Sequence, residues 1–398
     1  MKECTVSMRK PWLRLCLLLS LALALALGVA PALPAWAAAI TLEIDGATVP
    51  ADVAPVTKNG TTLVPIRLIT ETLGASVSWD QASQRVTIET AGHTVVFTVG
   101  ESAYLVDGGR KTLTSPPESV NGRTMVPIRA LAESIGADVS YEAGANKAVI
   151  KYFSNMKGAI KVSGSTTVLP IMQAAADQLL AMNSGLSIAV AGGGSGAGIK
   201  DTQSGANNVG MSSRDLTADE LSELTPVTVA NDGIAIIVHP NNPVSNLSRE
   251  QAAGIFRGEI RNWRDVGGAN APILVQTRET GSGTLTTLEE LLLDKEPVVA
   301  TATPFTSSAL IKQAVAQSEN AIGFDSIGFV DSTVKAVSLD QIAANSGTVK
   351  SNTYPLSRGL YTFTKGRATG INGMLIDYLR ALGTQNNIVQ REGYVTIY

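Results

Sequence analysis

Ile160-Lys161-Val162-Ser163-Gly164-Ser165-Thr166-Thr167-Val168-Leu169-Pro170 is the stretch from which the rest of the chain can be read. Residues 159–163 read as a strand, and the apolar spacing over 168–182 predicts a helix. Glycine and three hydroxyl side chains lie between them. Such a loop leaves backbone N–H groups unpaired at a helix N-terminus, where they and the helix dipole both favour an anion. A second strand over 187–190 follows, so this region reads as α/β.

Working outward, the same design recurs. Gly192-Gly193-Gly194-Ser195-Gly196-Ala197-Gly198 follows a strand and leads toward a short helix. Gly281-Ser282-Gly283-Thr284 does so too, with Arg278 just ahead of it. Glycine lets backbone approach a ligand closely, and arginine offers a permanently charged planar fork to oxyanions. Each loop alone is an ordinary turn. Three of them with one arginine point to a bound tetrahedral oxyanion. Further strands are expected over 232–238, 273–277, 321–324 and 359–364, and helices over 285–293 and 370–382.

Other chemistries fit poorly. Gly192-x-Gly194-x-x-Ala197 matches a loose dinucleotide pattern, but no Gly-Lys-Ser/Thr is present, which excludes a nucleotide P-loop. Gly193-Gly194-Ser195-Gly196-Ala197 fails a serine hydrolase elbow at its last position, and His239 sits beside Pro240 at a strand end. His93 and His239 are the only histidines, so no metal cluster is visible. No catalytic residue, cofactor or metal is assigned.

The start of the chain reads as an export signal. Lys2, Arg9, Lys10 and Arg14 precede an apolar run over 15–29 and the small-residue triplet Ala35-Trp36-Ala37. Cleavage is expected before Ala38, with signal peptide 1–37 and an extracytoplasmic mature chain; an uncleaved anchor is the alternative. Later apolar runs are all interrupted by charge. Cys4 and Cys16 both lie in this leader, and Leu13-Arg14-Leu15 does not suit lipid attachment at Cys16, so the mature chain has no disulfide or thiolate site. Without the leader, four fewer of 31 basic and one fewer of 34 acidic residues leave a net charge of −6. No basic stripe offers itself to nucleic acid.

An internal repeat follows. Asn59-Gly60-Thr61-Thr62-Leu63-Val64-Pro65-Ile66-Arg67 reappears as Asn121-Gly122-Arg123-Thr124-Met125-Val126-Pro127-Ile128-Arg129, an offset of 62 that holds through Glu71/Glu133, Gly74/Gly136 and Trp79/Tyr141. Each copy (about 40–90 and 102–152) predicts a turn, a strand, a helix opened by proline and capped by glycine, then strands. Residues 94–99 and 102–106 alternate like a hairpin. This repeat, 38–153, resembles the copper amine oxidase N-terminal-like, or stalk, domain, although the histidines copper would need are missing. Arg67 and Arg129 are expected either to bond within the fold or to meet cell-wall material. Residues 153–158 read as a short polar link.

Residues 158–398 resemble the phosphate-binding proteins of phosphate ABC transporters. The resemblance rests on Gly164-Ser165-Thr166-Thr167-Val168-Leu169-Pro170, Gly194-Ser195-Gly196, Gly210-Met211-Ser212-Ser213-Arg214 and Arg278-Glu279-Thr280-Gly281-Ser282-Gly283-Thr284. Ile255-Phe256-Arg257-Gly258 and Asn262-Trp263-Arg264-Asp265-Val266-Gly267-Gly268 add a further signature, in which Trp263 is expected to pack in the core. The resemblance implies a two-lobed periplasmic-binding-protein (type II) fold behind a small α+β repeat domain. Lobe one would be 159–229 plus 366–398 and lobe two 241–350, with crossovers near 228–240 and 354–365. It implies phosphate contacts at Thr166, Thr167, Ser195, Arg278, Ser282, Gly283 and Thr284, and an ABC permease as partner. Some relatives carry an aspartate in the third loop to accept the proton of hydrogen phosphate. Here Ser213 and Arg214 stand there and are expected to donate to the ligand, with Asp232 as a candidate acceptor or a turn residue. Asp215 is expected to cap a helix. Sulfate or molybdate as cargo, and a surface attachment or sensing role, are the alternative readings.

Overall fold

The computed structural model describes residues 39–398. The export signal and both cysteines lie outside the described residues. Among the described residues no helix is long and apolar enough to cross a membrane.

The repeat builds its own symmetry. Strand Thr61–Pro65 of the first copy pairs antiparallel with Arg123–Pro127 of the second, and Val64 lies opposite Val126. Those two valines are equivalent positions, so a pseudo-twofold axis passes between them. Each strand also pairs with the strand before its Asn-Gly turn, giving four strands. Asn59 and Asn121 take φ near +50°, as this turn requires. The prolines do not enter the helices. Pro65 and Pro127 end their strands and stand at the N-caps of helices Ile66–Thr72 and Ile128–Ser134. Two further sheets flank the central one. Strands Ser76–Asp80 and Arg85–Glu89 continue into Thr94–Thr98, Ala103–Val106 and Gly109–Thr112. The matching hairpin Asp138–Glu142 and Lys147–Lys151 is completed instead by Thr41–Ile44 from the start of the domain.

The two-lobed part is organised by two long strands. Leu224–Val238 pairs antiparallel with Ser357–Lys365 over its first half and with Ala321–Ser326 over its second. It therefore carries the sheet from one lobe into the other. A bulge between Thr228 and Ala230 bends it at the crossing. In lobe one, Gly158–Gly164 pairs parallel with both Leu186–Ala191 and Val209–Ser212. In lobe two, Leu274–Arg278 pairs parallel with Thr303–Phe305 and Ala321–Ser326. The helices follow the strand ends, which places the loops of both lobes at one cleft.

The join between the repeat domain and lobe one departs from the polar link read from sequence. Phe153 and Met156 are buried, and one apolar core runs from Ile69, Phe97 and Leu131 of the repeats into Ile171, Leu179 and Leu375 of lobe one. Phe153 meets Tyr378 edge-on at 4.9 Å. Lobe two keeps a separate core around Phe256, Trp263 and Phe324. Trp263 is buried there, with its indole N–H donating to the Asn320 carbonyl at 2.9 Å.

Candidate functional site

Four loops converge between the lobes. In the first, Ser165 Oγ accepts from the N–H groups of Thr167 (3.2 Å) and Val168 (3.4 Å), which opens helix Leu169–Met182. Thr166 and Thr167 then project across the cleft. Thr167 Oγ1 lies 3.1 Å from Thr284 Oγ1 of lobe two. Thr166 Oγ1 accepts from Arg278 Nη2 at 3.0 Å and from the Ser308 N–H at 3.4 Å. The second loop brings Ser195 to the first turn of helix Ser195–Ser204. Its hydroxyl accepts from the Ser213 N–H at 3.1 Å and lies 3.4 Å from Ser213 Oγ in the third loop. The fourth loop ends at Ser282, which caps helix Gly283–Leu292 by accepting from Leu285 N–H at 3.3 Å.

Two contacts show how tightly the lobes meet. The Gly196 N–H donates to the Gly281 carbonyl at 3.0 Å. A Cβ on Gly283 would fall 2.3 Å from Ser195 Oγ and 2.8 Å from Ser213 Oγ, so any larger residue there would displace both hydroxyls. Thr166, Thr167, Ser195, Ser213, Arg278, Ser282, Gly283 and Thr284 are all buried in this closed arrangement. Helix Ser308–Ala316 also begins at the cluster, at Ser308. Arg278 is held rigid. Its Nε donates to the Phe305 carbonyl (3.2 Å), Nη1 to Ser308 Oγ (3.1 Å) and Nη2 to the Thr306 carbonyl (3.1 Å) as well as to Thr166. Burial pulls its pKa below the usual guanidinium value. A buried cation ringed mainly by neutral oxygens favours an anion beside it.

Three sequence expectations change. Arg214 does not donate to this cluster: it makes a fork-to-fork pair with Glu220 at 2.7 and 2.8 Å and also reaches the Asp215 carbonyl. Its hydrogen bond holds the Glu220 carboxyl below the usual range. Asp232 is not a free acceptor. Its Oδ2 accepts from Arg358 Nε (2.9 Å) and Nη2 (2.7 Å), and its Oδ1 from Ser326 Oγ at 2.6 Å. A fully buried carboxylate is stable only when so paired. Its role is to aim Arg358, whose Nη1 donates to the Ser213 carbonyl at 3.0 Å. Asp215 accepts from the Tyr361 hydroxyl at 2.6 Å, and Thr217 caps the helix in its place.

The sequence reading missed Ser308, Arg358 and Asp325. Asp325 is fully buried at the end of strand Ala321–Ser326. Its Oδ1 accepts from the Ser326 N–H at 2.9 Å, whereas Oδ2 makes no hydrogen bond. Burial raises its pKa to about 6, against the pull of the Ser326 N–H, Ser308, Arg278 and Arg358. The signal was present in sequence as one acid inside the apolar run Ala321-Ile322-Gly323-Phe324-Asp325.

Comparison with known proteins now decides the family. Residues 130–381 match the PBP superfamily domain. The chain belongs to the PBP superfamily, in the PstS family of phosphate-binding proteins. It is 32% identical to phosphate-binding protein PstS of Bacillus subtilis over 247 residues, covering 60% of this chain and 81% of that one. Against PstS of Pseudomonas aeruginosa the identity is 27% over 306 residues, with 69% and 94% covered. Among solved structures, a phosphate ABC transporter substrate-binding protein from Clostridium perfringens with bound phosphate is 36% identical (TM-score 0.59), covering 61% of this chain and all of that one. An ABC-type phosphate transport receptor from Vibrio cholerae is also 36% identical, covering 60% of this chain and all of that one (TM-score 0.52). Residues 43–150 of this PstS-family chain match the copper amine oxidase N-terminal domain. In that domain His93 pairs with Asp107 at 2.8 Å, and among the described residues no group of three His, Cys, Asp or Glu side chains is placed to hold a metal ion.

Proposed function

We propose that this chain captures inorganic phosphate between its lobes, outside the cytoplasmic membrane, and delivers it to the permease of an ABC transporter without chemical change. The observation that carries the reading is the meeting of Thr166, Thr167, Ser195 and Ser213 from lobe one with Arg278 and the Ser282–Thr284 loop from lobe two, all buried together. Neither lobe alone holds the full donor set. A tetrahedral oxyanion completes its hydrogen bonds only when the lobes close, so binding favours the closed state, and the permease reads that state.

The acceptor role first considered for Asp232 passes to Asp325. An ionised carboxylate with one unpartnered oxygen accepts a hydrogen bond from a protonated oxyanion and repels a fully ionised one. Hydrogen phosphate carries that proton and sulfate does not. Calorimetric titration of the exported chain, stripped of carried-over ligand, tests both parts. Phosphate should bind and excess sulfate should fail to displace it. Asp325→Asn should keep phosphate binding and gain sulfate binding by at least about tenfold. Sulfate binding by the unaltered protein would reassign the cargo. Silence with phosphate, sulfate and molybdate would leave surface attachment as the function.

A further inference from the structure

The repeat domain carries two open grooves that are copies of each other. One, of about 780 Å³, lies between helix Ile66–Thr72 and the hairpin tip at Gly122-Arg123. The other, of about 730 Å³, lies between helix Ile128–Ser134 and the tip at Asn59-Gly60. The pseudo-twofold axis makes them so: each groove takes a helix and an edge strand from one copy and a turn from the other. Both volumes fall in the range of ligand-sized clefts.

Their chemistry also repeats. The edge strands Ser76–Asp80 and Asp138–Glu142 place an aromatic in each groove, Trp79 and Tyr141, which are 39% and 50% exposed. Both are held in place. The Trp79 indole N–H donates to Gln81 at 2.8 Å, and the Tyr141 hydroxyl bonds to Asn146. Beside each aromatic stands an exposed arginine with its own counter-charge one turn on, Arg67 with Glu71 at 3.9 Å and Arg129 with Glu133 at 3.7 Å. Across the first groove Arg123 pairs with Asp52 at 2.6 Å. The charges therefore cancel within the grooves, which leaves little net attraction for a polyanion or polycation. What remains is a fixed aromatic face among both donors and acceptors. That set suits a sugar ring, apolar on its C–H face and hydroxylated at its edge. Two copies suit a ligand that itself repeats.

We propose that the two grooves are equivalent subsites for a neutral polysaccharide, which the domain grips at two points. This claim is independent of the phosphate reading. Outside residues 1–38 the tryptophans are Trp79 and Trp263, and Trp263 is 1% exposed, so a ligand-dependent change in emission reports the first groove. The full exported chain would be titrated with hexamers of N-acetylglucosamine and of glucose, and sedimented with insoluble chitin and with cellulose. Saturable emission changes with at least one hexamer are expected, together with retention on at least one polymer. Trp79→Ala or Tyr141→Ala should each weaken retention by about tenfold or more through loss of avidity, and the double variant should abolish it. Phosphate titration should be unchanged in all three, showing that the chain is folded. Arg67→Ala with Arg129→Ala, both on the surface, provides a second test if the aromatic variants misfold. No binding to any of these glycans would overturn the proposal. So would full retention by the double aromatic variant, or tighter binding to dextran sulfate than to the neutral chains.

Discussion

Lobe one and lobe two share a cleft but differ in what stands behind them. Lobe two has a core of its own. Lobe one merges with the repeat domain in a single core, sewn shut by a buried polar joint. At that joint Asp377, on helix Gly370–Arg380, accepts from the Ala91 N–H at 2.8 Å and from the Tyr152 hydroxyl at 2.9 Å. In the proposed closure, lobe two is the part that would move, against the larger body that lobe one and the repeats form through their shared core. The free energy of ligand binding acts on the smaller moving part, and the repeat domain travels with the other.

The largest test of this contrast is Arg278→Ala. It removes a buried cation that reaches across the cleft, and phosphate affinity should fall by about 3–5 kcal/mol, a factor of roughly 150 to 5,000. Calorimetry would read that loss while the unliganded melting temperature changes little. A large fall in melting temperature with affinity retained would mean that Arg278 is a structural latch and not a ligand contact.

Gly74 and Gly136 offer a smaller and sharper comparison, because they are the same position in the two repeats. Both have positive φ, 78° and 86°. A Cβ on Gly136 meets nothing within 4 Å, whereas one on Gly74 would lie 1.9 Å from the Asp377 carbonyl oxygen. Gly136→Ala should cost about 1 kcal/mol for backbone strain alone. Gly74→Ala should cost about 3 kcal/mol or more, or split thermal unfolding into two steps as the repeats part from lobe one. Equal effects at the two positions would refute a rigid joint.

Acid stability separates the regions next. Burial raises the Asp377 pKa to about 7, against its hydrogen bonds to Ala91 and Tyr152. A carboxyl with a raised folded pKa contributes stability that is complete below its unfolded value of 3.8 and is lost as pH rises through about 7. The joint should therefore weaken as pH rises from about 4 to about 7, by up to about 4 kcal/mol if the whole shift is felt. Asp377→Asn should flatten the dependence of melting temperature on pH over that interval. The smallest effect belongs to Arg214→Ala. With its guanidinium committed to Glu220, the substitution should cost about 1 kcal/mol of stability and change phosphate affinity by less than about threefold.

These tests also mark where sequence could and could not lead. Anion loops are local: a glycine, a hydroxyl and a following helix lie within a few residues, so Ser195 and the Ser282–Thr284 loop are legible from the chain alone. Ion pairs across crossing strands are not. Asp232 and Arg358 are 126 positions apart and meet only because Leu224–Val238 pairs with Ser357–Lys365. Arg214 shows the opposite failure. It neighbours Ser213 in sequence, yet Glu220 six residues on captures its side chain. The joint at Phe153 was hidden for a similar reason, because a short segment with serine and asparagine reads as a linker until the surfaces on both sides prove apolar.

The valine pair at the pseudo-twofold axis has an ancestral reading. Val64 faces Val126 as two subunits face each other across a symmetric dimer interface. A chain bearing one copy would leave strand Thr61–Pro65 with an open edge and would need a second chain to close it. The repeat domain is in this sense a homodimer written into one polypeptide, and duplication spared it the need to find its partner.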